Sequence, residues 1–241
     1  MKALRFLLII VCTLSLTGCA STKQADSDSS LGKAQQTLDS LYQHYSAKDS
    51  YLLRESYPFD EQHKVTYLAS EDQANMPNQF SYLWPYSGTF SAVNALLEAT
   101  HDKKYQQLLD KRVLPGLEEY FDIQRTPNAY SSYIQTAPTS DRFYDDNVWL
   151  GIDFTDIYQI TQEKRYLDKA QLIWKFIESG TDSLLGGGIY WCEQKKESKN
   201  TCSNAPGSVL ALKLFKATND SIYFRQGKEL YEWTQKNLQD S

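Results

Sequence analysis

The chain has 241 residues and a formal net charge of −5 at pH 7, with an isoelectric point near 5.3. Hydrophobic residues make up 41% of it and aromatic residues 13%, enough apolar surface for one substantial packed domain. The basic residues are scattered rather than gathered into a stripe. This pattern excludes nucleic acid as a partner.

The N-terminus has the organisation of an export signal. Lys2 and Arg5 precede an apolar run at 6–14, and the segment LTGCA follows at 16–20. The run is shorter than the ~20 residues that a membrane-spanning helix needs, whereas a basic start, an apolar middle and small residues before the cleavage point are typical of signal peptides. The segment resembles a bacterial lipobox. We therefore predict a lipoprotein signal peptide at 1–18, with cleavage before Cys19 and a lipid on the Cys19 thiol.

A flexible tether is predicted to follow the lipid. Residues 20–30 include no aromatic residue and no aliphatic residue larger than Ala, so this stretch cannot bury enough apolar surface to fold. We assign 19–30 to the tether and 31–241 to the folded domain. The lipid would anchor the protein to a membrane of the bacterial cell envelope, in the periplasm or at the cell surface.

Two cysteines, Cys192 and Cys202, remain in the domain and flank a polar loop. An exported protein can form disulfides, so these two either pair or stay as free thiols, and we predict the pair. A zinc site is disfavoured, since no CxxC motif or nearby His accompanies them. The three histidines of the chain are also scattered. We predict no metal and no cofactor.

One phrase recurs along the chain. An apolar segment ends at Thr, a polar or acidic pair follows, and a Tyr opens the next apolar segment; the threonines are Thr100, Thr161 and Thr218. A repeat spacing of this length is typical of arrays of helical hairpins. We predict an all-α fold with about seven helices, at 32–54, 86–101, 103–121, 145–161, 164–179, 203–218 and 221–238.

Three long connections interrupt the array, at 55–85, 122–144 and 180–202. They are rich in Tyr, Trp, Asn and Gly, and long loops in compact domains are usually functional or disordered. We predict ordered loops that line a site, with plain variable connections as the alternative.

The most informative pair of residues is Asp145-Asp146, at the start of a predicted helix. Carboxylates at a helix N-terminus are favoured by the helix dipole and can accept hydrogen bonds from its free N–H groups. They also suit glycoside hydrolysis with retention, in which one carboxylate attacks the anomeric carbon and a protonated one donates to the leaving oxygen. In that case Asp145, held ionised by the dipole, is the nucleophile and Asp146 is the acid.

The motifs around this pair resemble those of one enzyme family. YDDNVWL, YQIT, RYLDKA, GGGIYWC and KNTCSNAPGSVLALKLF, together with WPYSGTFSAVNALLEAT at 84–100, look like the central region of glycoside hydrolase family 76, the endo-α-1,6-mannanases. The resemblance implies an (α/α)6 barrel, an α-mannan substrate and a retaining mechanism. It places the family's catalytic aspartates on Asp145 (nucleophile) and Asp146 (acid/base).

Several further residues are candidates for contact with the sugar. Large aromatic side chains can stack on sugar rings or fill the core, and we predict Tyr190 and Trp191, beside three glycines, as the better platform. Trp149 is predicted to lie in the core, and Asp153 and Asp156 to be structural. The predicted substrate-binding set is Trp84, Tyr86, Tyr144, Asn147, Tyr190, Trp191 and Asn204.

The chain departs from the family in its length. Six hairpins need twelve helices, and the sequence supplies about seven, so we expect an incomplete barrel that self-associates or recruits a complementary chain, with weakened activity. One alternative is a lipid-anchored glycan-binding protein without catalysis. Another is a different α/α-barrel enzyme, such as an unsaturated-uronyl hydrolase or a sugar epimerase, although the histidines that an epimerase needs avoid the motif-bearing regions.

Overall fold

The computed structural model describes residues 29–62 and 78–239. The predicted signal peptide, the lipidated Cys19 and nearly all of the tether lie outside these residues, as do residues 63–77 of the first long connection. Within the described ranges, no helix is both long and apolar enough to cross a lipid bilayer.

The described part of the chain is mainly helical, as predicted. Its helices are α1 (Ser30–Tyr45), α2 (Leu83–Thr100), α3 (Lys103–Leu108), α4 (Leu114–Glu118), α5 (Tyr144–Thr161), α6 (Lys164–Ser179), α7 (Thr201–Thr218) and α8 (Ser221–Leu238). A π-helical turn, Leu109–Val113, joins α3 to α4 into one rod. One short antiparallel pair, β1 (Phe121–Asp122) and β2 (Ala129–Tyr130), lies in the connection before α5.

The predicted helix over 32–54 is too long. In the structure α1 ends at Tyr45, because Ser46 is extended and Asp49 has a left-handed backbone. The chain then turns back on itself: the Arg54 N–H donates to the Tyr45 carbonyl at 2.7 Å. A tight turn therefore replaces the last third of the predicted helix.

The helix predicted over 103–121 is present but irregular. Pro115 lies in the first turn of α4, directly after the π-helical turn. Proline has no N–H and its ring clashes with the carbonyl four residues earlier in a regular helix. The wider π turn is a common way to absorb such an interruption.

The recurring threonine phrase marks the turn of each hairpin. The Thr161 hydroxyl donates to the Ile157 carbonyl at 2.8 Å and accepts the Glu163 N–H at 3.3 Å. Thr100 and Thr218 make the same two kinds of bond. In all three turns the residue after the threonine is left-handed and ends the helix; these residues are His101, Gln162 and Asn219. The repeat is thus a local hydrogen-bonded device, and the hairpin prediction is confirmed.

The hairpins form two layers of helices. In the inner layer α5 packs between α2 and α7, and α6 and α8 pack on the outside of their hairpin partners. The helices α5 and α7 approach closely at Gly151, where a Cβ atom would lie 2.5 Å from the Leu210 side chain. This inner layer places the N-terminal ends of α5 and α7 side by side.

Candidate active site

The loop before α7 is fastened to the first turn of α5. Phe143, the residue before α5, pairs with Cys192 as an isolated β-bridge, and the Tyr144 N–H donates to the Trp191 carbonyl at 2.9 Å. Trp191 is therefore held directly beside the aspartate pair.

Asp145 is half-buried and hydrogen-bonded. Its Oδ2 atom accepts the Trp191 indole N–H at 3.0 Å, and the Cys202 thiol lies against the same carboxyl. Its Oδ1 atom is buried without a partner of good hydrogen-bond geometry; we therefore regard the thiol contact as weak, since thiols are poor donors. Burial raises the pKa of Asp145, and the contacts with Cys202 and Trp191 oppose that rise.

Asp146 lies in a different electrostatic environment. Burial of its carboxyl group raises its pKa well above the usual range, and the neighbouring charge of Asp145 raises it further. One carboxyl of the pair thus has donors that favour its ionised form, and the other is driven towards its protonated form. Two adjacent carboxyls whose pKa values are raised to different extents can act as a base or nucleophile and an acid.

Helix capping alone does not account for the pair. The residue at the N-cap position of α5 is Phe143, and no side chain caps the helix there. Asp145 and Asp146 occupy the first turn instead, where the helix dipole favours negative charge. The dipole therefore favours the ionised form of both carboxyls, although neither aspartate is the cap residue.

Three tryptophans of this region are exposed. Trp84 on α2 is 54% exposed, Trp149 on α5 is 40% exposed and Trp191 is 40% exposed. The rings of Trp84 and Trp149 meet edge to face, with centroids 6.4 Å apart. The prediction that Trp149 lies in the core is wrong, because its side chain is 40% exposed and lies beside the exposed Trp84 of α2.

The two predicted amide ligands are structural. Asn147 is fully buried; its Oδ1 atom accepts the Tyr130 N–H, and its amide donates to the Tyr130 and Phe143 carbonyls, all at 2.9 Å. Asn204 does the same for Ile189 and the carbonyl before α7. Each asparagine side chain bonds both the N–H and the carbonyl of one residue in the preceding loop, as a neighbouring strand would, and so holds that loop against its helix. The prediction that they bind sugar is corrected accordingly.

Three predicted sugar-stacking tyrosines are also buried. The Tyr86 hydroxyl donates to the Val113 carbonyl at 3.0 Å, and the Tyr144 ring stacks on Phe176 at 4.6 Å. Tyr190 is 4% exposed, and its hydroxyl donates to Asp182 at 2.7 Å. Their rings are committed to the protein interior, so of the predicted aromatic set only Trp84 and Trp191 present surface to a ligand.

The predicted disulfide is absent. Cys192 and Cys202 are both free thiols, the first buried and the second exposed. Cys192 is part of the bridge to Phe143, whereas Cys202 lies in the first turn of α7 beside Asp145. The loop is held by its backbone contacts and by the asparagine instead of by a covalent bond.

Sequence reasoning missed Cys202 as a neighbour of the nucleophile candidate. When Asn147 and Asn204 are aligned as equivalent positions, Cys202 corresponds to Asp145. The position of Trp149 near the site was also predictable, since it lies four residues after Asp145 and thus on the same helix face.

Asp153 and Asp156 are linked to neighbouring inner helices, which agrees with their predicted structural role. Asp153 is 5% exposed and accepts a hydrogen bond from the Ser91 hydroxyl of α2 at 2.8 Å. Asp156 pairs with Lys213 of α7. Burial raises the pKa of Asp153 to about 7.

A cavity of about 520 Å³ lies between α6, α8 and the glycine-rich loop, and neither aspartate lines it. The tryptophans Trp84 and Trp149 line a shallower depression with Gly88 and Ser91 of α2.

The chain matches the family model described as glycosyl hydrolase family 76 over residues 56–241. It belongs to glycoside hydrolase family 76.

Solved structures share the fold. A family 76 mannosidase of Bacteroides thetaiotaomicron VPI-5482 matches with a TM-score of 0.74 and 29% identity, over 88% of this chain and 54% of its own. A family 76 enzyme from a bovine strain of the same species has a TM-score of 0.71 and 29% identity, over 88% of this chain and 44% of its own. The α-1,6-mannanase of Salegentibacter sp. HEL1_6 has a TM-score of 0.64 and 24% identity, over 87% of this chain and 52% of its own. Among curated proteins, none matches the chain.

The chain spans about half the length of these solved structures. The described residues form seven helical rods, with α3 and α4 counted as one. They make up an incomplete version of the family's helical barrel, as predicted from the count of helices.

Proposed function

We propose that this chain carries the catalytic pair of a retaining endo-α-1,6-mannosidase that acts on α-mannan. The observation that carries the proposal is the pair of adjacent carboxyls at the start of α5, of which Asp145 has donors and Asp146 is driven towards protonation. The substrate class follows from family membership and from the mannosidase with which the chain shares its fold.

The proposed reaction has two steps. An Asp145 oxygen attacks the anomeric carbon while the glycosidic bond breaks, and the Asp146 proton passes to the leaving oxygen. A water then gives a proton to Asp146 and attacks the same carbon, which breaks the bond to Asp145 and frees the sugar. The α-1,6-mannanase of Salegentibacter has also been determined as an inactive variant, with two of its consecutive aspartates replaced, in complex with α-1,6-mannotriose.

Activity of this chain alone is proposed to be weak. A glycosidase must hold the sugar in register with both carboxyls, and the described residues supply one wall of such a cleft. The last hairpin also exposes large apolar side chains on α7 and α8, namely Val209, Leu212, Ile222, Phe224 and Tyr231. Further helices from a second copy or a complementary chain would cover them, and light scattering of the purified protein tests whether it is a monomer.

The proposed location is the bacterial cell envelope, with the lipid of Cys19 as the membrane anchor. It is supported by the order of basic, apolar and small residues before Cys19. Mass spectrometry of the membrane-extracted protein should show a lipid-modified N-terminal cysteine. An unprocessed Met1 in the soluble fraction would contradict it.

A glycan-binding role without catalysis is the second candidate, and the exposed edge-to-face pair Trp84 and Trp149 favours it. Asp145→Asn and Asp146→Asn separate the two, because the substitutions nearly preserve shape. An enzyme should lose mannan cleavage by a hundredfold or more, on the order expected for loss of a catalytic group, and keep binding. The control is Asp168→Asn, on the outer helix α6, which should cleave at the wild-type rate. Undiminished cleavage in both site variants would reject the catalytic assignment.

A further inference from the structure

Burial of the Asp145 carboxyl disfavours its negative charge. The backbone N–H groups of Asp145 and Asp146 oppose this only in part, since the net shift of its pKa is upward. Its Oδ1 atom is buried without a well-placed partner, and a second carboxyl, Asp146, is adjacent. An ionised carboxylate that loses water without gaining hydrogen bonds is costly. A nucleophilic carboxylate must nevertheless be ionised before it attacks.

Trp191 supplies a strong donor. Its indole N–H reaches the Asp145 Oδ2 atom at 3.0 Å, and hydrogen bonds to ionised acceptors are about twice as strong as neutral ones. The thiol of Cys202, which also lies against the carboxyl, is a weak donor by comparison.

The backbone of Trp191 fixes where this donor points. Its carbonyl accepts the Tyr144 N–H at 2.9 Å, and its own N–H donates to the Ser198 carbonyl at 3.0 Å. Its ring also packs against Phe143, with centroids 4.8 Å apart. Two of these partners are the residues directly before Asp145, so the donor and the acceptor belong to one rigid unit.

We propose that Trp191 is a positioning residue for Asp145, whose indole N–H orients the carboxylate and keeps it ionised for attack. This role rests on the proposed function and differs from the sugar platform that the sequence predicts for Trp191. The part of the ring that stays exposed can still touch a sugar, but the N–H is committed to the carboxylate.

The test removes the N–H and measures the ionisation of Asp145 directly. In protein labelled with ¹³C-aspartate, the carboxyl signal that disappears in Asp145→Asn is assigned to Asp145 and titrated by NMR. Loss of the donor in Trp191→Phe should raise the pKa of Asp145 by about one pH unit. Trp191→His, which keeps a ring N–H, should restore part of the difference. Trp149→Phe replaces an indole on the same helix face as Asp145 by a phenyl ring, and it should leave the Asp145 titration unchanged.

Mannan cleavage supplies the second readout. In Trp191→Phe the acidic limb of the pH–rate profile should move to higher pH by about one unit, so that cleavage on that limb falls by up to about tenfold. Benzothienylalanine at position 191 replaces only the N–H by sulfur, and it serves as the donor-free variant if Trp191→Phe does not fold by circular dichroism.

The outcomes separate this proposal from the proposed function. An unchanged Asp145 titration in the donor-free variant overturns the positioning role, even if cleavage is lost, because lost cleavage alone would indicate sugar stacking. Full cleavage by Asp145→Asn instead overturns the catalytic assignment, whatever the titration shows. The titration needs no activity, so a chain that cleaves weakly still tests the positioning role.

Discussion

Replacing Asp153 by Asn tests how much the buried carboxylate of Asp153 lowers the free energy of unfolding at neutral pH. Asp153 is 5% exposed and lies between α2, which contributes Ser91, and the Asp156–Lys213 pair that links α5 to α7. Burial is the main cause of its raised pKa, with Asp156 adding to the rise, while Ser91 and Lys213 oppose it. Asn keeps the size of the side chain and an oxygen for Ser91, and it removes the charge.

The sign of the effect follows from the raised pKa. The folded protein holds the Asp153 proton up to a pKa of about 7, against about 3.9 for an Asp in an unfolded chain, so the stabilising contribution of this proton is complete below about pH 4. It is lost as the pH rises through about 7. The difference of about three units corresponds to about 4 kcal/mol over the whole window, and more than half of this falls between pH 5 and pH 8. Wild type should therefore lose about 2–3 kcal/mol relative to Asp153→Asn between these two pH values.

Urea unfolding followed by circular dichroism, at pH 5 and at pH 8, gives both free energies of unfolding by linear extrapolation. Asp145 and Asp146 also have raised pKa values and lower stability in the same direction, but they are present in both proteins and cancel in the difference. Asp168→Asn is the control, since its carboxyl is 52% exposed and its difference from wild type should not change with pH in this way. If the difference between wild type and Asp153→Asn is the same at both pH values, Asp153 ionises freely in the folded protein and the reasoning is refuted.

Two further predictions concern Asn204 and the two cysteines near the aspartate pair. Asn204→Ala removes three hydrogen bonds from a fully buried side chain and should lower the free energy of unfolding by about 2–4 kcal/mol; a loss below about 0.5 kcal/mol in urea unfolding would contradict the structural role given to Asn204. In the folded protein iodoacetamide should alkylate the exposed Cys202 slowly, because burial and Asp145 raise the pKa of its thiol to about 11 and the thiolate is the reactive form. It should spare the buried Cys192, and peptide mapping that finds the two joined by a disulfide would contradict the structure.

The hairpins were predictable because their signals are local. Each turn depends on one threonine that bonds to a carbonyl four residues earlier and to an N–H two residues later, so the whole device lies within a few residues of sequence. The helices after Thr100 begin and end close to their predicted bounds for this reason. The overlong α1 shows the limit: apolar spacing continued past Tyr45, but a left-handed Asp49 turned the chain.

The aspartate pair was predictable in another way. Local chemistry left helix capping and catalysis both open for Asp145 and Asp146, and the resemblance to family 76 decided between them in favour of a candidate site. Their separate environments depend on Trp191 and Cys202, which lie 46 and 57 residues away from Asp145. No local sequence pattern predicts that residues so far apart in the chain are in contact.

By itself, the sequence determined the helical hairpins, the family and the position of the carboxylate pair, since each of these depends on caps, periodicity or motifs within a short stretch of residues. The tertiary structure alone decided which side chains face a ligand. Tyr144 and Trp149 lie five residues apart on α5, yet Phe176 of α6 covers the first and the second stays exposed. The sequence predicted Asn147 and Asn204 as sugar ligands, but in the structure their side chains hold the preceding loops in place by hydrogen bonds. Exposure and hydrogen bonding depend on which distant segment packs against a residue, and that is a property of the folded chain.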